Sequence, residues 1–326
     1  MKRLLLMAAA LGLLLAIGII VYEGVAAVAG AFAAVGWGLA VVVLLRIVQI
    51  AGAGLGWWCI FPPEAASPLA ACINVRFVRE AINTLLPVAQ VGGEIAGARL
   101  MTFHAVPGGL AGASILVDML LQVATQVAFT LVGVALLALS GKSAALLTAI
   151  AIGVAAMAIG LLGFFGVQRF GGFKWIDRSL LKLAQNPGWS ALAGVANLHH
   201  HLERIHADLP RLAAASIVHL SVWFVGTLEV YVALALMGYP VSLGEALVIE
   251  SLGQAARAAA FLVPGAFGIQ EGGFIAVCAV FAIPAPAALA LSLVKRVPEF
   301  ALGLPYLAVW HAYEGRALLR RKRAAP

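Results

Sequence analysis

The chain has 326 residues, 63% of them hydrophobic and 11% charged, with mean hydropathy +1.04 and a formal net charge of +7. Soluble domains hold about 45–50% apolar and about 25% charged residues, so this mixture excludes an ordinary soluble enzyme and indicates an all-α polytopic membrane protein. The positive charge does not indicate nucleic acid. It is concentrated in particular loops and in the tail RALLRRKRAAP, a distribution that orients a chain in a membrane and attracts anionic headgroups.

In chain order, the first apolar run is Leu4–Val21. It exceeds the roughly 7–15 residues of a signal-peptide core and reads as an uncleaved span. The second, about Leu39–Ile60, ends at Pro62-Pro63 and is interrupted by Arg46 and Gln49. A hairpin of two half-length helices follows at about 68–106, with Arg76, Arg79, Glu80, Asn83, Pro87, Glu94 and Arg99. The third span, Leu110–Leu139, carries Asp118, and the fourth is Ala144–Val167. An amphipathic connector at about 170–211 is expected on the cytoplasmic membrane surface.

The fifth span, Ala213–Met237, carries Glu229, and a second hairpin at about 243–283 carries Glu245, Glu250, Arg257, Pro264 and Glu271. The sixth, about Ala287–Trp310, carries Lys295, Arg296 and Glu299, and a basic cytoplasmic tail occupies 312–326. Broken helices are tolerated at membrane depth where they are buried in protein or line a watery cavity, so both hairpins read as re-entrant. With both termini cytoplasmic, the inside loops collect Arg76, Arg79, Arg99, Lys174, Arg178, Lys182, Arg204 and Arg211, and the outside loops only Lys142 and Arg257, as the positive-inside rule requires.

The two hairpins overlay at an offset of 177 residues. Pro87 falls on Pro264, Glu94 on Glu271 and Pro107 on Pro284, among ten identities between Leu85 and Val117. Three full spans separate the copies, which places them in opposite orientations. An inverted repeat with discontinuous helices is a recurring transporter design, with the substrate path at the repeat interface. A mid-membrane charge costs at least about 2.5–3.5 kcal/mol on insertion scales. Asp118, Lys295, Arg296 and Glu299, together with Glu94 and Glu271, are therefore candidates to line a polar path that a lipid headgroup could cross. The alternative is structural: Asp118 paired with Lys295 or Arg296 to lock the repeats, and Glu94 and Glu271 capping the second half-helices.

Other features carry no site. In NLHHHLERIHADL three consecutive histidines point around a helix rather than to one face, and His104, His219 and His311 read as packing or interface residues. Cys59, Cys72 and Cys278 stand singly and read as small packing residues. No GK[ST], GxSxG or HExxH motif occurs, so no cofactor, no metal and no soluble catalytic domain are expected.

LLPVAQVGGEIAGARL followed by ASILVDMLLQ resembles the LPaRxGE…R pattern and following acidic span of the flippase-like, lysylphosphatidylglycerol-synthase-type transmembrane domain. LVPGAFGIQEGGF resembles that family's PGGxGxxEGG motif. The resemblance covers nearly the whole chain and maps Pro87, Glu94 and Arg99 onto the first motif, and Pro264, Gly268, Glu271 and Gly272 onto the second. Ala89-Gln90 departs from the pattern, standing where the family often has an arginine. Within the family, the GGEIAGARLM and VDMLLQVATQ segments most resemble bacterial hopanoid-biosynthesis-associated membrane proteins. The resemblance implies a non-enzymatic lipid flippase of the bacterial inner membrane that moves hopanoids toward the outer membrane. Its partners would be hopanoids or anionic phospholipids, and other lipid-biosynthesis or transport proteins. An intramembrane lipid-tailoring enzyme and a biosynthetic scaffold are the alternatives.

Overall fold

The computed structural model describes residues 18, 21–22, 25–65, 68–86, 91–141, 159–168, 197–259 and 266–324. Among them the chain forms eleven helices and no strand. These are α1 (Val25–Val35), α2 (Gly38–Cys59), α3 (Leu69–Leu85), α4 (Gly92–Thr102), α5 (Gly108–Leu139), α6 (Ile159–Gln168), α7 (Leu198–Ala207), α8 (Leu209–Leu236), α9 (Leu243–Ala259), α10 (Ile269–Ala279) and α11 (Ala285–Ala324). Helices α2, α5 and α8 are each long and apolar enough to cross a membrane. The first expected span and most of the fourth lie outside the described residues, as do the hairpin prolines Pro87 and Pro264.

Local chemistry sets the boundaries. Gly36, at φ +49°, turns the chain from α1 into α2, and Pro62-Pro63 follows the end of α2. Leu86 leaves α3 in an extended conformation, which the following Pro87 favours sterically. Helix α4 closes on Ala105 at φ +62°, where the Val106 amide donates to the Met101 carbonyl (3.3 Å), a Schellman-type end. Pro107 then starts α5, its carbonyl accepting from the Ala111 amide at 2.9 Å.

The same turn recurs at the 177-residue offset. Ala282 has φ +57°, Ile283 donates to Cys278 at 3.2 Å, and Ala288 donates to Pro284 at 3.0 Å. Helices α3 and α9 have 17 residues each, and α4 and α10 have 11 each. The packing is reciprocal as well. Helix α3 packs on α11 while α9 packs on α5; α1 packs on α11 while α7 packs on α5; and α2 and α8 pack along one another. Such exchange of partners is what a two-fold relation produces. The repeat is therefore a five-helix unit, α1–α5 and α7–α11, and not the hairpin alone.

Two apolar cores flank a polar layer. One gathers Val42, Leu137, Val230, Ala233, Leu234, Ile249, Phe274, Cys278 and Leu291. The other gathers Trp57, Cys72, Val78, Leu100, Ile115, Leu202 and Ala215. Helices α2, α5, α8 and α11 each contribute to both cores and carry their ionisable residues between them, at Arg46, Asp118, Glu229 and Lys295-Arg296. The outer faces show lipid-compatible side chains, such as Leu44, Leu131, Ile217 and Phe224.

Several expectations require correction. Arg76 and Arg79 are not loop residues: both lie inside α3, and Arg79 is only 1% exposed. Their use in the charge count for orientation therefore fails, because a helix paired to carboxylates can hold arginines that a hydropathy reading assigns to a loop. Arg257, assigned outside, likewise lies inside α9. Helix α11 continues to Ala324, so the expected tail is a helical prolongation of the sixth span's helix. Helix α1 was not anticipated. On α7, Leu198, Leu202 and Ile205 are buried in the second core, so the amphipathic pattern there meets protein.

Packing at the hairpins is close. A Cβ added at Gly93 would stand 2.3 Å from the Arg79 carbonyl oxygen, and backbone cannot give way there as a flexible side chain could. Gly93→Ala is expected to lower stability by about 1–3 kcal/mol, read as a fall in Tm of the purified protein. An unchanged Tm would show that α4 does not dock against α3 at this distance.

Candidate functional site

In the first half of the polar layer, Arg79 is the centre. Its guanidinium lies between the carboxylates of Asp118 (2.8 Å) and Glu94 and stacks 4.7 Å from the Trp57 ring. Asp118 also meets Arg76 (3.4 Å), accepts from Gln122 Nε2 (2.8 Å) and contacts His219 Nε2 (3.0 Å). Arg46 pairs with Glu80 at 2.7 Å. At the start of α4, Asn83 accepts from the Gly93 amide (2.8 Å) and donates to Glu94 (3.1 Å). Three arginines thus face three carboxylates.

In the second half, Glu271 accepts from the Gly268 amide (2.7 Å), from Arg296 Nε (2.8 Å) and from Ser292 (3.2 Å). It is at once a cap for α10 and an ion-pair partner. At α4, a side chain of the preceding helix, Asn83, instead serves the amide of Gly93, the second helical residue. Arg257 donates to Gln270 (3.0 Å) and to Glu299, and Arg296 lies 4.2 Å over the Phe267 ring. Lys295 stands between two carboxylates, Glu229 at 3.3 Å and Glu250 at 3.0 Å. Here three cations face four carboxylates.

The expected pairing of Asp118 with Lys295 or Arg296 does not occur. The two-fold relation that makes positions 118 and 295 equivalent also sets each against the first helix of its own hairpin. Asp118 turns to Arg76 and Arg79 of α3, and Lys295 to Glu250 of α9. Position 76 corresponds to 250 at the 174-residue offset that aligns α3 with α9. The Arg76–Asp118 pair is thus repeated as Glu250–Lys295 with its charges exchanged.

The structure brings Glu94, Asp118, Arg257, Glu271, Lys295, Arg296 and Glu299 into this layer. Arg99 is not among them: it forms a two-point pair with Glu314 (2.6 and 2.8 Å) and is about half exposed. Residues the sequence reading did not place there are Arg76, Arg79, Glu80 and Asn83, which were assigned to the hairpin without a role, and His219, read as packing. The opposite signs at positions 76 and 250 were the available signal for Arg76.

Between the halves lies a cavity of about 290 Å³, near the lower end of the ~300–1,000 Å³ usual for small-molecule sites. Arg46, Arg76 and Arg257 face it, with Glu80 and Glu94 and the amides of Gln49 and Gln254. It draws on α2, α3, α5, α8 and α9, and so on both repeats. Its size admits a polar headgroup and not a whole lipid.

Removing one member of a buried pair leaves the other charge uncompensated. Asp118→Asn is therefore expected to cost about 3–5 kcal/mol, whereas Arg99→Gln, at an exposed pair, is expected to cost about 0–1 kcal/mol. Thermal denaturation of the purified variants reads the contrast. Equal Tm shifts would mean that the Asp118 cluster is not buried as described.

No curated protein and no solved structure matches the chain. The model of the family described as the lysylphosphatidylglycerol synthase TM region matches residues 9–305. With its helices long enough to span a membrane and a match over most of its length, this chain is a membrane protein of the lysylphosphatidylglycerol synthase TM-region family.

Proposed function

We propose that the chain is a non-enzymatic lipid transporter that passes a polar headgroup through the cavity between its two repeats while the apolar tail stays in lipid. One observation carries this reading. A charged cavity of about 290 Å³ lies between two apolar cores, on helices whose outer faces are apolar. Ionisable groups at such depth face a partner or a wet cavity, and here Arg46, Arg76 and Arg257 do both. Three guanidinium groups suit a phosphate or carboxylate on the passing headgroup. The ion pair Arg79–Glu94 joins the two helices of the first hairpin and Arg257–Glu299 ties the second hairpin to α11, so their breaking and re-forming is the proposed gate.

In this reading the repeats are inverted, the hairpins re-enter the membrane from opposite sides, and both termini face the cytoplasm of a bacterial inner membrane. The resemblance to hopanoid-associated proteins makes a hopanoid, moved toward the outer membrane, the proposed cargo. Pro87 and Pro264 supply the hairpin breaks.

A deletion strain tests this, with hopanoids and phospholipids quantified separately in its inner and outer membranes. The expected outcome is normal total hopanoid with a depleted outer membrane, restored by the wild-type chain and not by Glu271→Gln. Disappearance of one lipid species from both membranes, with its precursor accumulating, would instead make the chain an intramembrane enzyme. A general fall in yield, with Glu271→Gln fully active, would make it a scaffold.

A further inference from the structure

Among the described residues, the polar layer contains one carboxylate more than its permanent cations, and the excess is local. Around Asp118 the charges balance, as Arg46, Arg76 and Arg79 against Glu80, Glu94 and Asp118. In the second half, Arg257 and Arg296 are engaged by Glu299 and Glu271, which leaves Lys295 alone to serve both Glu229 and Glu250. These two carboxylates are each 1% exposed and Lys295 is 6% exposed. Two like charges sharing one site cannot both ionise freely, and an unbalanced charge at this depth is costly.

We infer that the Glu229–Lys295–Glu250 triad is a proton-binding site: at neutral pH the two carboxyls share one bound proton, which they exchange with the cavity. Among the described residues, the neighbouring elements supply no other counter-charge. Helix α1 has no ionisable residue. Helix α5 has only Asp118, held by Arg76, Arg79 and His219. Helix α10 offers Glu271, already paired, and the thiol of Cys278. Helix α2 offers Arg46, which is bonded to Glu80 and reaches the triad only through Gln49. On α9, Glu245 lies in the first turn, where it caps Ser242, and Arg257 in the last.

The route to water is short. Gln49 Nε2 donates to Glu229 Oε2 at 2.7 Å, and Gln254 Nε2 donates to Glu250 Oε1 at 2.9 Å. Both glutamines line the cavity, so each carboxyl lies one hydrogen bond behind its wall. On release, the O–H bond of the pair breaks, the proton passes to cavity water, and both carboxylates remain on Lys295 with a net negative charge. That charge is tolerable while the cavity holds water and not while it holds an anionic headgroup. Proton loss and occupancy of the cavity are thereby linked, and on the transport reading above this linkage couples headgroup movement to a proton gradient.

The macroscopic proton belongs to the pair and not to either residue, so both single replacements are informative. Full-length protein in lipid nanodiscs is examined by infrared spectroscopy at neutral pH for the carbonyl stretch of a protonated carboxyl that shifts in D₂O. The wild type is expected to show it, and Glu250→Gln and Glu229→Gln each to lose it. Both variants retain a folded, charge-balanced carboxylate–lysine pair. A band absent from the wild type, or unchanged in both variants, overturns the site. The latter result, or a proton located on His219 by its imidazolium signals, would place the extra charge elsewhere.

Coupling is read separately in liposomes containing headgroup-labelled phosphatidylglycerol. One unit of imposed pH difference should change the steady-state leaflet ratio by up to about tenfold if one proton moves per lipid, and Glu250→Gln should abolish that dependence. Lipid movement indifferent to the gradient overturns the coupling. An intact infrared band with no lipid movement sinks the transport reading and leaves the proton site standing.

Discussion

The architecture depends on one electrostatic constraint: among the described residues, thirteen ionisable side chains are held in a layer between two apolar cores, and each must find a partner of opposite charge there. On insertion scales an unpaired charge costs at least about 2.5–3.5 kcal/mol at this depth, which is a large share of the stability of any domain. The layer meets the constraint by bridging helices. Arg79 ties α3 to α4 and α5, Lys295 ties α11 to α8 and α9, and Arg257 ties α9 to α10 and α11. The polar residues that permit a cavity are thus also the ones that fix the helices around it.

The two-fold relation explains why the layer is charged with both signs. In each repeat, side chains of the first hairpin helix pair with the long helix that follows, and one of these pairs, at positions 76 and 118 or 250 and 295, is shared by both copies. In one copy the arginine is on the hairpin and the acid on the long helix. In the other the acid is on the hairpin and the lysine on the long helix. The exchange lets two similar scaffolds meet without like charges opposing one another across the axis. It also makes the halves chemically unequal, with the arginines toward the cavity and the surplus carboxylate behind it.

Much of this was legible in the sequence. The apolar runs gave α2, α5 and α8 to within a few residues, and the prolines and glutamates at the 177-residue offset marked two hairpins whose turns coincide at Ala105 and Ala282. What was not legible depended on contacts far apart in the chain. Arg76 and Arg79 sit in a half-length segment with four further charged or polar residues, and local hydropathy cannot say which of them are buried. Their partners lie some 15 to 40 residues away. His219 is isolated in an apolar run, and only the packing of α8 against α5 reveals Asp118 beside it. The pairing of Asp118 was misread for a related reason: equivalence under a repeat was taken for proximity, whereas a two-fold axis relates residues without bringing them together.

The central claim is that the polar layer lines a water-filled path accessible to headgroups. Its most direct test is side-specific chemical access in native membranes. With Cys59, Cys72 and Cys278 replaced by alanine, Gln126→Cys on the cavity wall is exposed to a membrane-impermeant maleimide applied to one face and then to the other, with Leu131→Cys on the lipid-facing side of the same helix as a control. The account predicts that the cavity position reacts, that the control does not, and that added lipid headgroup analogue slows the reaction at the cavity alone. Failure of the cavity position to react from either face, in a correctly inserted protein, would mean that the layer is a sealed lock between the repeats and that no headgroup passes through it.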